Sequence, residues 1–327
     1  MDIKAYCDLV AYLPQGKTLF RYGRDQFAPM LLGYLLDGGW GAQSIRASRF
    51  ARLCERPPIK ALLAAAGKYE LSPELLSLAE VPCVHAWRLT LGKWGNGKEF
   101  DWNQTSRRGC SLVLQLNFSN EHDCVYRQLF PFAVAPLFSY RTHAGSTSYN
   151  TLAWARLDID LDANVALIEE IQSDWVKRIA EAEKHPETFL KYYRCENAGQ
   201  KPDCALFKKS LAIYAKDVLP RFARDWQEIM LAACLHFVFT ELGLRSLFMH
   251  EFETGNRLKN LWRHHRVPPR SIYEELPRKF CFEKSSEVPQ FLAARTRGLE
   301  KKHKDFRARF WQLAPSRQDW ANLTLAA

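Results

Sequence analysis

The sequence has no hydrophobic run long enough to cross a lipid bilayer. Its longest apolar stretches, FPFAVAPLF (130–138) and LAACLHFVF (231–239), fall far short of the ~20 residues that a transmembrane helix needs. The first ten residues, MDIKAYCDLV, carry an acid at position two and no apolar h-region, so they do not resemble a secretory signal. These absences predict a cytoplasmic protein with no membrane partner.

The sequence also lacks the short motifs that mark several classes of enzyme and scaffold. Its nine cysteines are scattered and form no CxxC pair, which argues against a disulfide scaffold or a zinc knuckle and fits reduced thiols. No GxGxxG, Walker loop, GxSxG or HExxH occurs. A dinucleotide enzyme, an NTPase, a serine hydrolase and a zinc protease are therefore disfavoured, and no metal site is predicted.

Positive charge is abundant and unevenly placed. The chain carries 46 Lys and Arg against 36 Asp and Glu, a net charge of +10. Residues 259–327 hold 15 of the basic and 7 of the acidic residues, which leaves +8 in this last part. A basic end of this kind favours nucleic acid or another acidic surface as the partner.

The apolar pattern changes its period near residue 82. Before it, short segments such as DQFAPMLLGYLLDGG and SPELLSLAE have helical spacing and helical end signals. After it, CVHAWRLTLG, SLVLQLNFS, LAWARLDIDL and VALIEEIQ alternate or are continuously apolar, as in a mainly antiparallel sheet. Helical patterns return after 175, the longest at 219–243, before an apolar strand, LRSLFMHEF. The pattern predicts an α+β fold.

We predict three parts for the chain: an N-terminal helical region (1–80), an α/β domain (81–292) and a basic C-terminal helix or tail (293–327). The N-terminal helices have two interpretations, a helix-turn-helix-like unit or a plain helical cap with a solvated basic face, and the cap is favoured. Either interpretation leaves room for a protein partner at these helices. The arginines concerned are Arg46, Arg49, Arg52 and Arg56.

Two resemblances concern the middle of the chain. The order of VALIEEIQ, a long helix ending in TELG, RSLFMHEF and SIYEELPRKFCFE resembles the core of the GNAT acetyltransferase fold. Residues 149–282, about 40% of the chain, are similar to the EIQSDW segments of large multidomain (polyvalent) proteins of phages and mobile elements. The first resemblance implies a mixed, mainly antiparallel sheet flanked by helices, in which a strand at 164–172 lies beside one at 245–252.

The acetyltransferase resemblance also implies a cofactor site, from which this sequence departs. In that pattern the pyrophosphate of acetyl-CoA rests on backbone N–H groups of a glycine turn at a helix start. Here the junction carries an insertion of about 40 residues, and LPRFARDWQ contains no glycine. Arg221 and Arg224 are candidates to replace the turn, with solvated side chains as the alternative. Tyr273 matches a tyrosine that can act as general acid, with a packed aromatic residue as the alternative.

Three polar residues follow the apolar half of ALIEEIQSDW. Strict alternation along a strand places Glu170, Gln172 and Asp174 on one face, together with Ala166 and Ile168. We therefore predict a polar cleft that faces the start of the 219–243 helix, with Arg221 or Arg224 in reach. Glu170 is the candidate general base. The alternative is a structural network in which the three residues cap the next helix or pair with the arginines.

Two basic stretches contain aromatic residues, as nucleic-acid grooves do: WRHHR (262–266) and RTRGLEKKHKDFRARFW (295–311). The alternative for the second, favoured by its spacing, is an amphipathic helix docked by the stripe Leu299, His303, Phe306 and Phe310. The candidate nucleic-acid contacts are Arg263, Arg266, Arg270, Lys301, Lys302, Lys304, Arg307 and Arg309.

The charge asymmetry and the EIQSDW resemblance predict an intracellular protein associated with a mobile element or with phage defence. It would act on or beside nucleic acid through its basic C-terminal third. The alternative is a GNAT-like acyltransferase that uses acetyl-CoA, with Glu170 as the base. The sequence leaves open whether the protein is an enzyme.

Overall fold

The structure is a computed structural model that describes residues 1–12, 18–35, 42–66, 71–82, 84–95, 104–133, 136–140, 143–146, 148–196, 203–261 and 268–314. The strands of these described residues form one eight-stranded sheet. They are β1 (Thr18–Tyr22), β2 (His85–Trp94), β3 (Ser111–Asn117), β4 (Thr151–Asp160), β5 (Val165–Gln172), β6 (Ser246–His250), β7 (Glu283–Ser285) and β8 (Phe310–Leu313).

The strand order is β1-β2-β3-β4-β5-β6-β8-β7. Only β5 and β6 pair in parallel, and the other neighbours in the sheet are antiparallel. The parallel pair aligns Val165–Ile168 with Ser246–Met249. The predicted α+β class and the predicted pairing of 164–172 with 245–252 are therefore confirmed.

Helices precede the sheet, flank it and cross over between β5 and β6. The helices of the described residues are α1 (Ile3–Tyr12), α2 (Phe27–Leu35), α3 (Ala42–Ala47), α4 (Pro57–Ala66), α5 (Pro73–Ser77), α6 (Asn120–Leu129), α7 (Asp174–Lys184), α8 (Pro186–Glu196), α9 (Cys204–Ile213), α10 (Leu219–Ala223), α11 (Trp226–Leu235), α12 (Phe252–Leu258), α13 (Arg270–Lys279) and α14 (Ala293–Lys302). Two π-helical segments, Tyr214–Val218 and His236–Glu241, continue α9 and α11.

The two faces of the sheet pack against different layers. Ala166, Ile168, Leu247 and Met249 belong to the large core, which includes most of the buried α11 residues. We call this side the helical face. The alternate residues Leu167 and Phe248 belong to a second, smaller core. This side, which we call the second face, is covered by residues from α12, the turn before α14 and the chain around β8, namely Leu258, Leu292, Phe306, Ala308 and Phe310.

The sheet draws strands from all three of the predicted segments. β1 lies within residues 1–80 and pairs with β2, and β8 lies within residues 293–327 and pairs with β6 and β7. Arg49 also bonds the carboxylate of Glu283 at 2.6 Å, which links the N-terminal region to β7. The predicted division into domains stays a prediction, but the basic C-terminal segment is tied to the sheet by a buried strand.

Two predicted helices differ in the structure. The 219–243 helix is divided by a turn at Arg224 and Asp225 into α10 and α11. The prediction of a C-terminal amphipathic helix is wrong beyond Lys302, because α14 ends at that residue. Residues 306–310 are instead alternately buried and exposed, ending in β8. Their period of two follows from packing Phe306, Ala308 and Phe310 on the second face.

Candidate functional site

A β-bulge in β5 determines which polar side chains meet. Leu157 is opposite Ile168, whereas the adjacent Arg156 is opposite Glu170, so Glu169 is an extra residue in the ladder. The bulge ends the strict alternation. Ile168 and Ile171 both pack in the large core, although three residues separate them. The prediction that Glu170 shares a face with Ala166 and Ile168 is therefore wrong.

The extra residue, Glu169, is the centre of a buried group that we call the sealed cluster: Ser106, Glu169 and His250. The backbone N–H of Ser106 donates to Oε1 of Glu169 at 3.0 Å, and the Ser106 hydroxyl donates to Oε2 at 2.7 Å. Nε2 of His250 lies 2.8 Å from the Ser106 hydroxyl and 3.1 Å from Oε2 of Glu169. All three side chains are fully buried.

Two buried cations accompany the sealed cluster. The Lys259 ammonium donates to the backbone oxygen of Glu169 at 2.8 Å, and Lys259 is only 2% exposed. Burial alone would raise the pKa of Glu169, but its hydrogen bond to His250 and the charges of Lys259 and Arg156 bring it well below its ordinary value. Burial lowers the pKa of His250 itself, so we assign a carboxylate next to a neutral imidazole, with Lys259 and Arg156 supplying the charge.

The sealed cluster is not a catalytic triad, although it contains serine, histidine and a carboxylate. In a triad the carboxylate binds Nδ1 of the histidine and leaves Nε2 to activate the serine. Here Glu169 and Ser106 compete for the same nitrogen, Nε2. Within the described part of the chain, Nδ1 of His250 has no hydrogen-bond partner. Because no member is exposed, we assign the cluster a structural role.

The next two acids of ALIEEIQSDW have different partners. The Glu170 carboxylate, 17% exposed, accepts a short hydrogen bond from Arg156, which is fully buried. Arg156 also donates to the backbone oxygen of Gln104 at 3.1 Å and lies 5.2 Å from the centre of the Trp94 ring. Glu170 thus neutralises a buried guanidinium. This contact favours the structural alternative for Glu170 over the role of a general base.

Asp174 and His143 form a second carboxylate–histidine pair, which we call the open pair. Nδ1 of His143 lies 2.9 Å from Oδ1 of Asp174, and Oδ2 accepts from the indole Nε1 of Trp154 at 3.1 Å. The side-chain amide of Gln172 also donates to Oδ1 of Asp174. Because Gln172 and His143 share this acceptor, the amide nitrogen of Gln172 lies 3.3 Å from Nδ1 of His143. The Asp174 side chain is 6% exposed, and the His143 side chain is 30% exposed.

Aromatic rings hold the His143 imidazole in place. The rings of Trp94 and Trp154 stack with their centres 6.1 Å apart, and both meet the imidazole nearly edge to face at 6.3 and 6.2 Å. The Tyr140 ring lies 4.8 Å away. His143 also lines a cavity of about 390 Å³ over β2 and β3, together with Thr90, Gly92, Lys93, Gln115, Ser146 and Tyr149 among others. The structure therefore brings Gln172 and Asp174 to an accessible histidine.

The predicted cofactor residues lie elsewhere. Arg221 and Arg224 line a different cavity, of about 580 Å³, together with Tyr22, His85 and Phe222, which belong to the large core or contact it. The predicted cleft with these arginines in reach of Glu170 is wrong, since the bulge turns Glu170 to the second face. The start of α7 is likewise unsuited to a pyrophosphate, because Ser173 caps it and Asp174 places a negative charge in its first turn.

Tyr273 is a packed aromatic residue of α13, 1% exposed. Its ring lies 5.7 Å from the Lys259 ammonium, and its backbone oxygen accepts from the Trp311 indole at 2.7 Å. Burial, together with the nearby charge of Glu170, raises the pKa of the Tyr273 hydroxyl far above its ordinary value. These contacts favour the structural alternative for Tyr273 and do not fit a general acid that protonates a leaving thiolate.

The predicted nucleic-acid contacts fall into three sets. Arg263 and Arg266 lie outside the described residues. Arg270 begins α13, stacks on the Phe252 ring at 4.6 Å and lines a small cavity with three glutamates, so its surroundings are acidic. The remaining five residues are exposed around the end of α14 and the start of β8, and they are Lys301, Lys302, Lys304, Arg307 and Arg309.

The sequence did not identify the residues that complete the sealed cluster and the open pair. His143 and Ser106 lie in loops, more than 25 residues from the acids that they contact. Lys259 belongs by sequence to the basic C-terminal part but is buried. Arg156 gave a usable signal, because it interrupts the otherwise apolar start of LAWARLDIDL, and a cation in a buried strand requires an acidic partner.

Comparison of the chain with protein-family models, with curated proteins and with solved structures finds no match. Among the described residues, no helix is both long and apolar enough to span a membrane. The same residues contain no group of three or more His, Cys, Asp or Glu side chains arranged to hold a metal ion.

Proposed function

We propose that the protein binds nucleic acid through a basic segment, residues 297–309. Six cationic side chains of this segment are exposed, and they are Arg297, Lys301, Lys302, Lys304, Arg307 and Arg309. None of the six forms an ion pair with an acidic side chain of the described residues. This unpaired, exposed positive charge is the observation that carries the proposal, because phosphate neutralisation supplies most of the affinity of nucleic-acid binding.

The core of the protein holds the basic segment in a defined shape. Phe306 and Ala308 are buried on the second face, so Arg307 and Arg309 between and beyond them project outward. The carboxylate of Glu300 accepts from the backbone N–H of Ala308 at 2.8 Å, which closes the turn between α14 and β8. An anchored surface loses less side-chain and backbone entropy on binding than a mobile tail does.

The acyltransferase alternative is not supported by the same structure. The parallel pairing of β5 and β6 agrees with it, but Glu170 is bound to Arg156, and Tyr273 is buried beside Lys259. Arg221 and Arg224 line a cavity that neither Glu170 nor Tyr273 lines. Acetyl-CoA therefore has no assembled site among the described residues.

Three further predictions accompany the proposal. The protein would act in the cytoplasm, and its similarity to EIQSDW segments supports an association with a mobile element or with phage defence. A protein partner at the N-terminal helices stays a prediction.

The test is the salt dependence of binding to fluorescent single-stranded and double-stranded oligonucleotides, measured by anisotropy. We expect binding of at least one oligonucleotide at low salt and a steep loss of affinity as salt rises. Replacing Lys301, Lys302 and Lys304 by Ala should weaken binding and flatten the salt dependence. A matched variant, with the exposed Lys184, Lys191 and Lys216 replaced by Ala, should bind as the wild type does. Absent or salt-independent binding contradicts the proposal.

A further inference from the structure

The open pair has the geometry of a general base. Oδ1 of Asp174 accepts from Nδ1 of His143, so a neutral imidazole carries its proton on Nδ1 and a lone pair on Nε2. Asp174 is itself fixed by donors from Trp154 and Gln172, so it holds the imidazole in one tautomer and one orientation. Since Nδ1 faces the buried carboxylate, Nε2 lies on the edge of the ring away from it, and the partly exposed ring lines the cavity.

The cavity beside His143 is suited to one nucleotide. Its volume of about 390 Å³ lies within the ordinary range of small-ligand sites. Hydrogen-bonding groups line it, and they come from Thr90, Gln115, Ser146, Ser148 and Tyr149. A Cβ atom at Gly92 would lie 2.9 Å from Nε2 of Gln115, so a side chain at this position would have to displace that amide.

Two cations lie near the imidazole of His143. The side chains of Lys177 and Arg178 lie over the Tyr140 ring, which in turn packs on the imidazole of His143. The nearby carboxylate of Glu181 accepts a hydrogen bond from the Tyr140 hydroxyl. Two cations against one carboxylate around the Tyr140 ring favour a ligand that carries phosphate.

The cavity and the basic segment lie on the same side of the sheet. Gln115 is opposite Trp154 and Val113 is opposite Arg156 in the ladder. Arg156 is opposite Glu170, whose side chain, like that of Leu167, points to the second face. Phe306 and Phe310 of the C-terminal segment pack on this face too. A strand bound at the basic segment therefore need not pass around an edge of the sheet to approach the cavity.

From these observations we propose that the cavity over β2 and β3 is a catalytic site for RNA, in which His143 is the general base. The inference depends on the proposed function, because it takes the bound nucleic acid as the substrate. Nε2 of His143 would remove the proton of a ribose 2′-hydroxyl, and the 2′-oxygen would form a bond to the adjacent phosphorus. The bond from phosphorus to the 5′-oxygen would break, and this oxygen would leave with its electron pair and take up a proton.

One other group has a supporting role in this reaction. Asp174 is a positioning residue, since it acts through the imidazole. No oxidant, reductant or second substrate is required, because the nucleophile belongs to the RNA itself. The products are a 2′,3′-cyclic phosphate and a free 5′-hydroxyl.

The test uses three labelled oligonucleotides of one sequence: all RNA, all DNA, and DNA with a single ribonucleotide. The wild-type protein should cleave the RNA, and the mixed strand only after its ribonucleotide, leaving a cyclic phosphate that mass spectrometry identifies. His143→Gln should lower the cleavage rate about 100-fold or more, as expected for loss of a general base. His185→Gln, at an exposed histidine after α7, should cleave as the wild type does.

Binding measured on the same oligonucleotides separates the two proposals. If the wild-type protein binds RNA but does not cleave it, or if His143→Gln cleaves equally fast, the catalytic inference is wrong and the binding proposal stands. Cleavage of the all-DNA strand would also refute it, since DNA has no 2′-hydroxyl. If the protein binds only DNA, the catalytic inference alone is wrong, and if it binds none of the oligonucleotides, both proposals fail. Thermal unfolding of His143→Gln should match the wild type, which shows that a lost rate does not reflect a lost fold.

Discussion

The sealed cluster and the open pair are built from the same two functional groups, a carboxylate and an imidazole, at the end of the same strand. In the sealed cluster, Glu169 reaches Nε2 of His250, and both side chains are buried. In the open pair, Asp174 reaches Nδ1 of His143, and the imidazole is 30% exposed. The nitrogen that the acid contacts and the exposure of the ring decide whether such a pair stabilises the fold or can act on a ligand.

The bulge at Glu169 produces this difference. A regular strand would place Glu169 and Glu170 on opposite faces. The extra residue lets Glu169 reach His250 while Glu170 reaches Arg156, and it turns Gln172 toward Asp174. One irregular residue thus gives β5 a buried ionic centre and a partly exposed one. Bulges are often found next to functional sites for this reason.

The largest effect on stability is expected from Glu169→Gln. The change removes a fully buried carboxylate charge that helps to offset the buried cations of Lys259 and Arg156. We expect the free energy of unfolding to fall by about 3–5 kcal/mol, the range for breaking a buried ion pair. Urea unfolding measures it. A loss below about 1 kcal/mol would mean that the sealed cluster does not hold the sheet together.

Glu170→Gln should have a smaller effect. It removes the charge that neutralises Arg156, but Arg156 keeps the backbone oxygen of Gln104 as an acceptor. We expect a loss of about 1–3 kcal/mol, as for a charge-assisted hydrogen bond that loses its charge. The same variant should retain cleavage activity if Glu170 is structural. An inactive Glu170→Gln with an unchanged melting temperature would instead restore Glu170 as a catalytic base.

Acid should destabilise the protein through His250. Because burial lowers its pKa, the folded state prefers the neutral imidazole, so the stability is complete above about pH 6.5 and is lost as pH falls through the lower folded pKa. The loss is about 1.4 kcal/mol per pH unit for each such histidine, and the buried His122 adds to it with the same sign. The pKa of Glu169 is lowered too, so its contribution is lost only below about pH 4.

Urea unfolding between pH 7.5 and 5 measures this dependence in the wild type and in His250→Gln. The groups that face His250 are Glu169, Ser106, Lys259, Arg156 and the Phe310 ring. None of them other than His250 has an ordinary pKa in this window, so the variant should show a slope that is smaller by about 1.4 kcal/mol per pH unit. Equal slopes would show that His250 is protonated in the folded protein.

The smallest effect on stability is expected from His143→Gln, the counterpart of the Glu169 variant in the open pair. The side chain is partly exposed, and Asp174 keeps its donors from Trp154 and Gln172. The free energy of unfolding should change by less than about 1 kcal/mol. A loss as large as that of Glu169→Gln would mean that both pairs are structural.

The sequence predicted the fold better than the site. Alternation identified β2 to β5, and the order of elements identified the parallel pairing of β5 with β6. A bulge leaves no signal in the sequence here, since either Glu169 or Glu170 could have been the extra residue. The partners His143 and His250 come from distant loops and strands, so only the folded chain shows which carboxylate each contacts.

The basic C-terminal part shows a second limit of sequence reasoning. In the sequence, Lys259 and Arg270 contribute to the positive charge of residues 259–327 in the same way as Lys301 and Arg307. In the fold, Lys259 is buried against Glu169 and Arg270 lies among glutamates, whereas the cations around the end of α14 are exposed. Composition gives the sum of charge, whereas packing decides where it can be used.

The most direct measurement of the difference between the two pairs is the reaction of the native protein with diethyl pyrocarbonate, which modifies accessible neutral imidazoles. Peptide mass spectrometry gives the rate at each histidine. We predict that His143 reacts, that single-stranded RNA slows its reaction, and that His250 reacts only when the protein unfolds. If His143 is as inert as His250, or if RNA leaves its rate unchanged, then the open pair is not a site that meets RNA.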